Sequence, residues 1–155
     1  MMAGTLTSQE VFGFLLPEQV NAISDAAERV SFKAGESIYE KGDKADYFYI
    51  ILDGEVTLRL PTRHGGLSLV IDQMGKGAVF GGPLGQKRRA YALSAQGAQK
   101  GKLLKIDISV VKKLMDKDMR MGLNLQRYVA TAYFDRYIDT MKKLQAIVMN
   151  IPVEA

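Results

Sequence analysis

The sequence predicts a mainly β domain, a sandwich, jelly roll or barrel, with helices before and after the strands. Three observations predict it. Short runs rich in β-branched and aromatic residues recur between Glu28 and Ile106. Glycine, proline and Asp-Gly turn signals separate those runs at intervals of roughly eight to twelve residues, as in all-β architectures. From Asp107 onward the apolar spacing changes to that of a helix and keeps it nearly to the C-terminus.

The elements follow in order. Thr7 to Ala27 reads as helical, with Ser8 as an N-cap, Phe12 and Phe14 close behind, and Pro17 opening a helix that carries Val20, Ile23 and Ala27 on one face. Glu28 to Phe32 alternates as a strand, Lys33 to Glu36 is a turn, Ser37 to Tyr39 a short strand, and Glu40 to Asp43 another turn. Tyr47 to Leu52 is a strongly β-forming run. Asp53-Gly54 after it predicts a tight hairpin, because that pair accepts positive φ. Glu55 to Leu60 is then the returning strand. A tip at 61–66 leads to a strand over Leu67 to Asp72 and a short one over Ala78 to Phe80, and two more are expected at Arg89 to Ala95 and Lys102 to Ile106. Asp107 is placed to cap a helix containing Val110, Val111 and Leu114. After a break at Met115 to Asp118, a long helix is predicted from about Met119 to Met149, ended by Pro152. Within it Leu123, Ala130, Phe134, Tyr137, Met141, Leu144 and Val148 form a heptad seam, interrupted by Arg127, of the kind that wants a partner helix. A homodimer through this helix is therefore expected. The organisation predicted is a roll with its N-terminal helices over 1–117 and the long helix over 118–155, as one structural unit.

Composition narrows the chemistry. The 155 residues suffice for one domain with one core. No apolar run approaches the ~20 residues of a membrane span, and the N-terminus carries no export signal, so a cytoplasmic protein is expected. The absence of cysteine excludes disulfides, thiolate metal sites and cysteine nucleophiles. The single histidine, His64, stands in a Gly-rich tip and reads as a solvated loop residue. Metal-dependent jelly-roll enzymes and haem sensors need more imidazole than that. No metal and no catalytic activity are expected.

The stretch that organises the chain is Gly75 to Ala95, with five glycines, Pro83 and a Lys87-Arg88-Arg89 run. Glycines let backbone N–H groups approach a ligand, successive N–H groups form an anion cradle, and a guanidinium beside them grips a phosphate bidentately. From Gln73 to Ile106 there is no Asp or Glu, while Lys76, Lys87, Arg88, Arg89, Lys100, Lys102 and Lys105 give a local +7 in a chain of net charge +4. An anionic small-molecule ligand suits this stretch. A solvated basic face, or direct contact with nucleic acid, is the competing reading.

The residues that carry a resemblance are Phe32 to Asp43, Tyr47 to Val56, Gly77 to Gly81, and Arg89 with Ala95. In identity and spacing they resemble the cyclic-nucleotide-binding domains of the catabolite-activator and cyclic-nucleotide-dependent kinase superfamily. The resemblance implies a jelly-roll-like β-roll (a double-stranded β-helix) flanked by helices. It also implies a phosphate-binding cassette opened by Phe80 and Gly81, running through Gly82 and Leu84, and completed by Arg89 on the cyclic phosphate with Ala90 after it. The ligand implied is cAMP or cGMP, with the purine capped from the long helix, where Tyr133, Phe134, Arg136 and Tyr137 are the candidates. Phe134 and Tyr137 also lie on the seam, which is the plainer explanation for both.

One departure stands out. The family places a Glu after the Phe-Gly pair to hold the ribose hydroxyl, and this chain has Gly82, then Pro83, with an interval to Arg89 about a turn short. Losing that contact is worth ~1–3 kcal/mol, roughly tenfold to a hundredfold in affinity. No DNA-reading helix-turn-helix is expected after the long helix if these residues are the whole protein. The expected function is a stand-alone cyclic-nucleotide-binding-like sensor that passes its signal to the long helix, with the downstream protein unspecified. The alternative is a degenerate member that binds no nucleotide, or a different anion, and acts as a dimeric interaction module.

Overall fold

The computed structural model of the chain describes residues 2–63, 66–82 and 89–149. Three helical pieces come first: α1 (Met2–Thr7), a 3-10 turn (Glu10–Phe12) and α2 (Pro17–Ala26). Ser8 does not open a helix. It follows α1, and its hydroxyl donates to the Thr5 carbonyl at 2.8 Å, closing the helix it was expected to start. Pro17 does open α2, where its missing N–H costs nothing. Gln19, almost fully buried, is satisfied at both ends of its amide. It accepts from the Leu16 N–H at 2.9 Å and donates to the Asp118 carboxylate at 2.9 Å.

Six antiparallel strands follow: β1 (Ala27–Phe32), β2 (Ser37–Tyr39), β3 (Tyr47–Pro61), β4 (Ser68–Met74), β5 (Val79–Gly81) and β6 (Ser94–Asp107). They form one open sheet of order β1-β6-β3-β4, with β2 added to β6 and β5 to β3. Two strands are far longer than the turn signals predicted. Asp53-Gly54 is not a hairpin, because β3 runs straight through it. Gly54 has φ +82° at a register shift, and a Cβ there would stand 2.5 Å from the Lys100 carbonyl oxygen. Gly101 across the ladder is tighter still, its Cβ position 1.9 Å from the Asp53 oxygen. These glycines let two backbones cross at a bulge. Likewise the strands expected at 89–95 and 102–106 are largely one strand, β6, and residues 89–93 precede it. Gly97 lies inside β6 because Lys33 passes with its oxygen 2.3 Å from where a Cβ would be.

The apolar run Phe48 to Ile51 is continuous because both faces of β3 are covered. Phe48 and Ile50 join Leu104, Ile106 and Ile23 in a core beneath the helices. Tyr49 and Ile51 join Phe32, Leu58, Phe80 and Leu103 in a second core inside the roll. Alternation along the strand therefore sorts side chains between two cores.

Asp107 caps α3 (Ile108–Lys117) as expected, accepting from the Ser109 N–H at 2.8 Å. Asp118 then caps α4 (Met119–Met149), accepting from the N–H groups of Arg120 and Met121. α4 has 31 residues and is about 46 Å long. Met121, Leu125 and Val129 pack on the helix-side core. The heptad seam faces the other way, with Phe134, Tyr137, Leu144 and Val148 each more than half exposed. Pro152 lies outside the described residues.

Candidate ligand-binding site

The expected cassette begins in β5. Phe80 is fully buried in the roll interior and Gly81 follows with φ +110°, its Cβ position 2.8 Å from the Tyr47 carbonyl oxygen. Gly82 donates its N–H to that same oxygen at 2.8 Å. A Cβ on Gly82 would meet Ile108 Cδ1 at 2.2 Å and the carbonyl oxygens of Tyr47 and Ala45 at 3.0 and 3.1 Å. The place where the family carries a Glu is thus crowded, and a side chain there would need the tip of Ile108 to move and the 45–47 backbone to give slightly. Leu84, with Pro83, Lys87 and Arg88, lies outside the described residues.

The cassette's far end returns to the same turn. The Arg89 carbonyl accepts from the Ala45 N–H at 2.9 Å, Ala90 bridges to Lys44, and the Tyr91 N–H donates to the Asp43 carbonyl at 3.0 Å. Phe80, Gly81 and Gly82 on one side and Arg89 and Ala90 on the other are therefore gathered around residues 43–47. The Arg89 side chain is exposed. Tyr137 is not part of this gathering. It is 55% exposed on the seam of α4, its ring 6.1 Å from that of Phe134.

Behind the cassette lies an aromatic cluster that sequence reasoning counted only as β-forming content. Tyr39 of β2 stacks on Tyr91 at 3.7 Å, Tyr49 stacks on Phe80 at 5.1 Å, and Tyr39 and Tyr49 are 5.8 Å apart. The Tyr91 hydroxyl donates to the Tyr47 carbonyl at 3.2 Å. Burial drives the phenols of Tyr39 and Tyr49 well above the usual tyrosine range, and neighbouring tyrosines add to it. All stay neutral at any ordinary pH. The signal that could have located them is the strand alternation, which turns Tyr39, Tyr49 and Phe80 to the same interior.

α4 reaches this cluster through Arg136. Its Nε donates to the Asp72 carboxylate at 2.9 Å, and its Nη2 donates to the Val79 carbonyl at 3.1 Å and lies 3.2 Å from the Met74 sulfur. The guanidinium carbon sits 5.2 Å from the centre of the Tyr133 ring. Tyr133 is itself pushed up by burial, with Arg136 opposing. Arg136 and Tyr133 also act electrostatically on Tyr39, which puts all three at the junction of helix and roll. Of the capping candidates, then, Tyr133 and Arg136 face the roll, and Phe134 and Tyr137 on the seam face away.

Among the described residues no cluster of three or more His, Asp or Glu is arranged to hold a metal ion, and no helix is long and apolar enough to cross a membrane. The sequence profile of the cyclic nucleotide-binding domain matches residues 29–118, more than half of the chain. The chain belongs to the cyclic nucleotide-binding domain family. A cAMP-dependent protein kinase regulatory subunit from Mucor circinelloides f. lusitanicus is 29% identical over 112 residues, which cover 64% of this chain and 26% of that protein. This chain thus matches about a quarter of the length of that relative. Among solved structures, a cyclic-nucleotide-binding candidate from Geobacter metallireducens GS-15 superposes with TM-score 0.75 at 24% identity, over 88% of this chain and 98% of that one. The regulatory domain of Toxoplasma gondii PKA, solved with cAMP, superposes with TM-score 0.69 at 18% identity, over 84% of this chain and 49% of that one. At these identities the superpositions speak for the β-roll with its long C-terminal helix.

Proposed function

We propose that this domain is a non-catalytic receptor for a cyclic nucleotide, cAMP or cGMP, whose cyclic phosphate is held by Arg89 and the N–H groups of the glycine-rich loop. What supports the reading most is the convergence of Gly82 and Arg89 on the turn at 43–47. The Gly82 N–H and the Arg89 carbonyl are both bonded to that turn, and the Arg89 side chain is exposed to solvent. Arg89 would supply charge-assisted bonds and the loop would supply N–H donors. Occupancy would be passed to α4 through Arg136, whose bonds to Asp72 and Val79 tie the helix to strands bordering the cluster. The device is a two-state helix equilibrium, biased only as far as the ligand prefers one state.

A second reading has its own support. Gly82 stands, in a crowded position, where the family carries its ribose-holding Glu, and the Tyr39–Tyr91 stack fills interior space. On this reading the domain has lost its nucleotide and acts through α4, whose exposed seam of Leu123, Phe134, Tyr137 and Leu144 would pair with a second copy of the chain. Calorimetric titration with cAMP and with cGMP separates the two. Saturable binding at micromolar to sub-millimolar strength is the receptor's signature, and absence of heat at millimolar nucleotide leaves the interaction module. Sedimentation across protein concentrations reports the dimer, which Leu144→Glu should dissociate.

A further inference from the structure

The described basic residues of the acid-poor stretch do not form one surface. Arg89 ends the cassette, Lys105 lies over the Tyr47 ring at 4.1 Å, and Lys76 and Lys102 are drawn to a different place altogether. The ladder geometry explains why. The Gly77 N–H donates to the Ile51 carbonyl at 2.8 Å, which fixes the turn carrying Lys76 beside Leu52 and Asp53. Asp53 pairs with Lys102 across the β3–β6 ladder, and Arg29 on β1 pairs with Leu104, two residues further along the same face of β6. The Arg29 guanidinium then donates to Thr5 Oγ1, which ties α1 to this margin of the sheet.

The result is a groove of about 540 Å3 walled by Arg29, Lys76 and Lys102, with the hydroxyls of Thr5 and Ser8 on the helix side and one carboxylate, Asp53. Three cations against one anion leave +2 on its walls. The ion pairs found among the described residues join Lys44 to Asp46 and Arg136 to Asp72, so no carboxylate among them lies within ion-pair distance of Arg29, Lys76 or Lys102. An excess of cations converging on a concave surface attracts an anion, since the field is focused there. Arg29 on β1, Lys76 on the 75–78 turn and Lys102 on β6 come from three different elements, which suits a tetrahedral oxyanion whose several oxygens accept from donors in different directions.

We propose that this groove is a second anion site, separate from the cassette, that takes a compact phosphate or diphosphate group. A nucleic-acid backbone fits less well. The groove is closed on one side by α1, which suits a compact group better than a chain laid along it. The group has two possible sources, a free phosphorylated small molecule or the headgroup of an acidic phospholipid, and the chemistry that recognises it is the same.

The test is calorimetric titration of the full chain with pyrophosphate at low ionic strength, repeated for Lys76→Gln, Lys102→Gln and the double variant, with thermal melts to confirm folding. Both lysines are exposed on the surface, so the variants should melt as the parent does. Saturable binding is expected, weakened about tenfold by each single change and more in the double variant, reduced by salt, and unaffected by Arg89→Ala. Co-sedimentation with phosphatidylcholine vesicles containing phosphatidic acid identifies the source. Sedimentation competed by pyrophosphate assigns a lipid headgroup, and pyrophosphate binding without sedimentation assigns a free ligand. Three results overturn the proposal. One is absence of binding to both probes at millimolar concentration. Another is pyrophosphate binding that Arg89→Ala abolishes and the lysine variants keep. The third is binding of single-stranded DNA that depends on Lys100 and Lys105 as much as on Lys76 and Lys102.

Discussion

Replacing Arg136 by Met should loosen α4 from the roll while keeping most of the side chain's apolar stem. The size of the effect follows from what the guanidinium holds. The Arg136–Asp72 pair is short, 2.9 Å, and its side chains are only 15% and 24% exposed. It lies between exposed pairs, worth about 0–1 kcal/mol, and buried ones, whose disruption costs about 3–5 kcal/mol. The bond to the Val79 carbonyl and the stacking on the Tyr133 ring disappear with it. A cost of about 2–3 kcal/mol is expected, or roughly 5–10 °C in melting temperature for a domain of this size. A double-mutant cycle with Asp72→Asn should give a coupling energy of about 1.5 kcal/mol by urea denaturation. Hydrogen exchange should quicken at 133–140 before it quickens in β3 or β6. A coupling below about 0.5 kcal/mol, or unchanged protection in that turn of α4, would refute the idea that Arg136 fastens the helix to the roll.

Other expectations are more local. Gly82→Glu, which restores the family's acid, should destabilise by about 1–3 kcal/mol, because its Cβ displaces the tip of the buried Ile108 side chain and presses on the Tyr47 and Ala45 carbonyl oxygens. A Gly82→Glu variant that melts as the parent does would contradict this crowding. Asp118 is held below the ordinary carboxylate value of 3.8, first by the Met121 N–H and then by Gln19. A depressed folded pKa contributes stability that is present above the ordinary value and disappears as pH falls through the lowered one. The melting-temperature gap between the parent and Asp118→Ala should accordingly be widest above pH 4 and narrow below it, and a gap independent of pH would count against the cap.

Much of the fold is written locally. The caps at Asp107 and Pro17, the bounds of α4 and the outward seam follow from spacing and helix-end chemistry that need no tertiary information. The long strands were less legible. A glycine that turns the chain and a glycine that lets another strand pass look alike in sequence, and Gly54, Gly97 and Gly101 are all of the second kind. The same ambiguity hid the crowding at Gly82, where a lost carboxylate is visible in the sequence but the Ile108 methyl that presses on the position is twenty-six residues away. Charge was misleading in a related way. The acid-poor stretch reads as one basic field, and folding puts Arg89 beside the 43–47 turn, Lys105 over the Tyr47 ring, and Lys76 and Lys102 in the groove under α1. The tyrosine cluster needed the register of three strands before its members could be seen to share one interior.

The central claim is that Arg89 is the anchor for a cyclic phosphate. It is tested most directly by comparing cyclic-nucleotide binding to the parent and to Arg89→Ala in one calorimetric series. The side chain is exposed, so the variant should fold with stability within about 0.5 kcal/mol of the parent. The account predicts that affinity falls by at least about tenfold, the loss expected when a charge-assisted pair is removed. Nucleotide binding of equal strength in a folded Arg89→Ala protein would contradict it.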